Sequence, residues 1–213
     1  MALAVLHWPP EVASGTLVGM KVAFIGTHGV GKTTLCYELA ARLKKVGLDA
    51  DIVKEVARSS PLPINQSTTL SAQLWILHTQ IAREIEVGAR SEVVVCDRSV
   101  LDNYAYLRQA SGRQMTTERL VESWIRSYDL LFRVPATGRI SMDGVRDLDP
   151  AFQRAIDRQI QALIRQMHVD VHELAGLGRN RWITSACAAT VACIRGEPMP
   201  VSDKIDDQLD LFR

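Results

Sequence analysis

Gly26-Thr27-His28-Gly29-Val30-Gly31-Lys32-Thr33 places three glycines, a lysine and a hydroxyl at the spacing G-x-x-x-x-G-K-T. The chemistry that spacing serves is phosphate binding. Glycines let backbone N–H groups converge on phosphate oxygens, and a helix opening at Lys32 adds partial positive charge. Lys32 reaches the outer phosphates, Thr33 is a ligand for Mg²⁺, and Gly26, Thr27, Gly29, Val30, Gly31 and Thr34 complete a binding loop for ATP. His28 reads as a tolerated loop residue rather than a catalyst.

Three further groups fit the same chemistry. Asp97 closes the apolar run EVVVCD, where a carboxylate can hold Mg²⁺ or its water, and Arg98 beside it can grip an anionic substrate or pair with a nearby carboxylate. Glu55 is predicted to end the second strand and so to open on the same crevice. Either Glu55 or Asp97 can take the proton of an attacking hydroxyl. Arg58 fits substrate binding and fits a surface pair with Glu55 equally well. Arg139 and Arg146 lie in a polar, glycine-containing stretch, read as a mobile loop over 136–148 that could close on the phosphates, with a solvated loop of ordinary arginines as the alternative.

The elements that must position these groups alternate between strand and helix. Strands are predicted at KVAFIG, ADIVKE, EVVVCD, DLLFRV and RWITS. Helices are predicted from Lys32 to Val46, from Leu70 to Gly88, from Ser99, from Thr116, from Pro150, and over ACAATVACI. Phe152, Ile156, Ile160, Leu163, Met167, Val171 and Leu174 trace the stripe of one long helix. The expected fold is α/β, a doubly wound sheet of five parallel strands flanked by helices, with an arginine-bearing lid. Residues 1–19 are expected to form an arm, 20–195 the domain, and 196–213 a tail.

Bulk properties narrow the classes. A chain of 213 residues, 47% hydrophobic, suits one such domain. A net charge of +1 excludes a strongly basic nucleic-acid binder, so contact with DNA would be local or assisted by a partner. Cys36, Cys96, Cys187 and Cys193 form no CxxC pair and read as reduced thiols of a cytoplasmic protein. No apolar stretch is long enough for a membrane span, and no signal peptide is predicted.

Taken together, the loop, Glu55, the Asp97-Arg98 pair and the arginine-bearing loop resemble the P-loop kinases that include thymidylate kinase, the deoxynucleoside kinases and nicotinamide-riboside kinase. The resemblance covers about residues 20–185, and CDRSVLDNYAY looks especially like the riboside-kinase branch. It implies ATP and Mg²⁺ at Lys32 and Thr33, Glu55 or Asp97 as base, and Arg58 and Arg98 near the acceptor. It adds Asp102, Asn103 and Tyr104 as acceptor-side candidates, although a capping role competes for Asp102 on the first turn of a helix. Trp75 and Tyr104 are candidates for stacking on a base, and core positions compete for both.

The tail ends in Gln208-Leu209-Asp210-Leu211-Phe212, similar to the peptide by which bacterial replication and repair proteins bind the β sliding clamp. Leu209, Leu211 and Phe212 would fill an apolar pocket while Gln208 makes a polar contact. They could also fold back on the body. A clamp tag raises effective concentration at DNA, which a weakly charged domain otherwise lacks. The sequence looks compatible with the bacteriophage kinases that phosphorylate 5-hydroxymethyluracil within DNA. A soluble nucleoside, nucleotide or riboside kinase, and a clamp-associated ATPase switch or recruitment module, remain the alternatives.

Overall fold

The computed structural model describes residues 19–136 and 149–200. The arm, the predicted lid arginines Arg139 and Arg146, and Gln208, Leu209, Leu211 and Phe212 of the tail lie outside the described residues.

Five parallel strands form the sheet, in the order β2-β3-β1-β4-β5. They are β1 (Met20–Ile25), β2 (Ala50–Val53), β3 (Val93–Asp97), β4 (Leu130–Arg133) and β5 (His172–Glu173). The helices are α1 (Lys32–Lys45), α2 (Leu70–Gly88), α3 (Val100–Ser111), α4 (Met115–Trp124), α5 (Pro150–Gln166) and α6 (Arg179–Arg195). Side chains alternate across β1. Val22 and Phe24 enter a core with α1 and α6, while Ala23 and Ile25 enter a second core with α2, α3 and α5. Burial on both faces explains why β1, β3 and β4 read as apolar runs. Phe24 and Phe132 meet across the β1–β4 pair at 5.5 Å between ring centroids. The strand order reverses beside β1, and ligands of such sheets bind outside the carboxyl ends at that point.

Three predicted elements fall elsewhere. RWITS is the start of α6, not a strand: Trp182, Ile183, Ala186, Cys187 and Ala189 recur at helical spacing and are buried. The fifth strand is His172–Glu173, only two residues long, so it carries no β-rich run to betray it. The α5 helix stops at Gln166 because His168 takes a left-handed φ of 49°. Val171 and Leu174 therefore lie beyond the helix, and Leu174 N–H donates to the Arg133 carbonyl at 3.0 Å. Glu55 also lies past its strand. It caps a short 3-10 turn, Val56–Ser59, two residues beyond the end of β2.

Candidate active site

The phosphate loop joins β1 to α1, and its conformation requires glycine. Gly26, Gly29 and Gly31 have φ of 140°, 77° and 97°. A Cβ at Gly26 would stand 2.7 Å from the Val134 carbonyl oxygen. Lys32 is buried and donates from Nζ to the carbonyls of Gly26 (2.8 Å) and Thr27 (2.6 Å). Burial and the neighbouring Arg98 lower its pKa to about 8, against Asp102, Asp97 and Glu55, which act the other way. An anion arriving in the loop would restore a charge that the protein leaves weakly compensated.

Thr33 Oγ1 donates to Asp97 Oδ2 at 2.6 Å. Burial raises the Asp97 pKa above the usual carboxylate value. One hydroxyl and one carboxylate at the foot of a phosphate loop are the hard oxygen donors that suit Mg²⁺, which takes few protein ligands and fills its shell with phosphate and water. The residues therefore fit the predicted cation.

Across Asp97 lies a second cluster of charged side chains, at a cleft. Arg98 donates from Nε (2.8 Å) and Nη2 (2.7 Å) to Glu55 Oε1, and Arg58 Nε donates to Glu55 Oε2 at 2.9 Å. Arg58 thus makes the pair with Glu55 and also lines the cleft. That cleft is small, about 40 Å³, opens to solvent, and is lined by Glu55, Arg58, Gln73, Arg98, Asn103 and Tyr106, among others. Among the described residues, Arg98 Nη1 and Asn103 Nδ2 are buried there without a hydrogen-bond partner. Buried donors left over in this way suit an oxygen supplied by a ligand.

Two predicted acceptor residues sit elsewhere. Tyr104 is fully buried in the core, and its hydroxyl donates to Glu118 at 2.7 Å. The aromatic of the cleft is Tyr106, whose ring lies 4.9 Å from the Arg98 guanidinium. Asp102 is a brace beneath the loop. Its Oδ1 accepts from Gly26 N at 2.7 Å, and its Oδ2 accepts from Ser99 N and Ser99 Oγ at 2.9 Å. It forms a capping box with Ser99 at the start of α3, tying that helix to the phosphate loop. Asp102→Ala removes the cap partner and strands buried donors, so stability should fall by about 2–4 kcal/mol, read from the urea unfolding midpoint.

His28 is a packing residue as well as a loop residue. Its Nδ1 lies 2.9 Å from the Tyr106 hydroxyl, its ring stacks on Phe152 at 5.9 Å, and its carbonyl accepts from Gln153 Nε2 at 2.9 Å. The start of α5 is thereby latched to the loop. Arg179, at the first position of α6, was not foreseen. Its Nη2 occupies the space over Gly31, 2.7 Å from where a Cβ would stand. Arg179→Ala should raise KM for ATP about tenfold, with KM for the acceptor unchanged, in initial-rate kinetics at varied ATP.

A family model described as an AAA domain matches residues 21–181. The thymidylate kinase of Thermomicrobium roseum is 30% identical, over 72% of this chain and 74% of the relative. The chain belongs to this family of P-loop nucleotide and nucleoside kinases. The thymidylate kinase of Pseudomonas putida strain GB-1 is 31% identical over 48% of this chain, and the match spans 54% of that relative, about half its length. Among solved structures, a deoxyadenosine kinase from M. mycoides with bound dATP superposes with a TM-score of 0.56 at 18% identity, over 77% of this chain and 95% of that one. A NadR protein in complex with NR gives 0.63 at 17% identity, over 86% of this chain and 54% of that one. At those identities the two structures speak for the fold. Among the described residues no helix is long and apolar enough to cross a membrane.

Proposed function

We propose that the protein transfers the γ-phosphate of ATP to a hydroxyl of a nucleoside-type acceptor. One observation carries the reading. The phosphate loop and the Glu55–Arg98 pair flank Asp97, so a donor on one side faces an acceptor in the cleft on the other. Bound Mg·ATP supplies the phosphoryl group and its neutralising cation. Lys32 and the loop N–H groups would hold the phosphates, and Thr33 and Asp97 would hold the metal. Glu55 accepts the acceptor's hydroxyl hydrogen and aims its oxygen; each carboxylate oxygen can accept from a second donor. Arg98 and Asn103 offer their spare donors to an acceptor oxygen.

For the acceptor itself we favour 5-hydroxymethyluracil within DNA. Support comes from the tail, whose Gln208, Leu209, Leu211 and Phe212 match a β-clamp peptide, a device with no evident use to an enzyme of free metabolites. The relatives favour a second reading, a kinase of free nucleosides or nucleotides, since the matched curated proteins carry the name thymidylate kinase.

Labelled ATP separates the two. Acceptors would be duplex DNA containing 5-hydroxymethyluracil, unmodified duplex, free nucleosides and nucleotides, and nicotinamide riboside. Label on the modified duplex is the expected result. Label only on a free compound would overturn the DNA reading and leave the metabolic one. Phosphate release with no labelled acceptor would favour an ATPase switch.

A further inference from the structure

Arg98 is the residue on which acceptor capture turns in the proposed function, and its backbone is strained. Its φ is 91°, a region that side chains other than glycine rarely occupy. Such a conformation persists only where the surroundings enforce it. Two hydrogen bonds flank the strained turn. Gln80 Nε2 donates to the Arg98 carbonyl at 3.3 Å, and the Val100 N–H donates to the Tyr128 hydroxyl at 3.1 Å.

Both of these partners are held by one group. Gln80 Nε2 also donates to Glu84 Oε1 at 3.0 Å, and the Tyr128 hydroxyl donates to the same oxygen. Burial, and next the charge of Glu84, push the Tyr128 phenol up, so it stays protonated as a donor. Glu84 Oε2 accepts from Lys21 Nζ at 3.0 Å and from Trp124 Nε1 at 2.7 Å. Lys21 Nζ is further held by Ser127 Oγ at 2.7 Å and stands 4.5 Å and 4.7 Å from the Trp124 and Tyr128 ring centroids. Gln80, Glu84 and Lys21 are all buried.

A buried ion pair of this kind is a poor source of stability. Its desolvation offsets much of its attraction, and an apolar set of equal volume often serves as well. What an apolar set could not do is grip a carbonyl on one side of a strained turn and an amide on the other. We propose that Glu84 is a positioning residue that sets the Arg98 turn through Gln80 and Tyr128, and so aims the Arg98 guanidinium at Glu55 and the cleft. This rests on the reading of Arg98 as an acceptor-side residue.

The test is nitrogen-15 NMR of arginine side chains in the full chain, with the Arg98 Nε–H signal assigned by its loss in Arg98→Lys. Gln80→Met and Tyr128→Phe each remove one arm and keep the volume close to the original. The Arg98 Nε–H, buried against Glu55, should exchange slowly in the unaltered protein. It should exchange at least about tenfold faster in each variant, with core amides such as Val22 unchanged. Equal exchange in all three proteins, whether or not the melting temperature falls, would overturn the proposal and leave the network a structural one. The functional reading fails separately: Arg98→Lys transferring label as the unaltered protein does would remove Arg98 from acceptor capture without touching the NMR result.

Discussion

Lys32→Met should lower phosphoryl transfer from ATP by about 10²–10³-fold while the fold persists. The lysine is the cation carried by the loop itself, placed to follow the phosphoryl group as its charge spreads. Its Nζ now rests on the Gly26 and Thr27 carbonyls and must leave them to meet phosphate. Methionine has the same unbranched stem and fits the same buried channel. Circular dichroism should therefore match the unaltered protein. Acidity supplies an independent check. Burial lowers the Lys32 pKa from 10.5 to about 8 in the folded chain. The charged form is thus disfavoured by folding: its cost is present below about pH 8 and vanishes as the pH rises through 8 toward 10.5. Binding of ATP needs the charged form. Affinity should weaken above pH 8, approaching about tenfold per pH unit, and Lys32→Met should lose that dependence in calorimetric titrations.

Glu55→Gln is expected to have the second largest effect, on stability and transfer together. Removing the carboxylate leaves Arg98 buried beside a neutral amide, with side-chain exposures of only 7% for Arg98 and 12% for Glu55. Breaking such a pair costs about 3–5 kcal/mol. Transfer should fall as well, since the acceptor hydroxyl loses the group that orients it. The pH dependence has the opposite sign to that of Lys32. Burial acts to raise the Glu55 pKa, but Arg98, Lys32 and Arg58 overcome it and bring it from 4.5 down to about 2. The stabilisation is therefore complete above pH 4.5 and is lost as the pH falls toward 2. Acid unfolding followed by fluorescence should show a midpoint that shifts upward in Glu55→Gln and a shallower loss between pH 4.5 and 2.

The phosphate loop and Asp97 were legible in the sequence because their chemistry is carried by local spacing next to apolar runs. The cleft was only partly so. Asn103 and Tyr106 stand three apart on α3, off the stripe of Leu101, Tyr104 and Ala105 that enters the core. Helical periodicity applied to that segment would have chosen Tyr106 over Tyr104. Asp102 kept two readings, and the structure displays the capping one. The left-handed turn at Arg98 could not be read, since nothing in a single arginine encodes it; residues far off in the chain, Gln80 and Tyr128, impose it. The two-residue β5 was invisible for a similar reason. It pairs because β4 offers an edge, and Val171 and Leu174 around it imitate a helical stripe.

In the proposed function the protein delivers phosphate to a hydroxyl held in the cleft rather than to water. The most direct measurement follows the γ-phosphate of labelled ATP and asks where it ends. Excess acceptor pool should place the label on a nucleoside-type hydroxyl, with little free phosphate, and both products should disappear in Lys32→Met. Free phosphate as the sole product across DNA, nucleosides, nucleotides and riboside, unaffected by Glu55→Gln, would contradict the account.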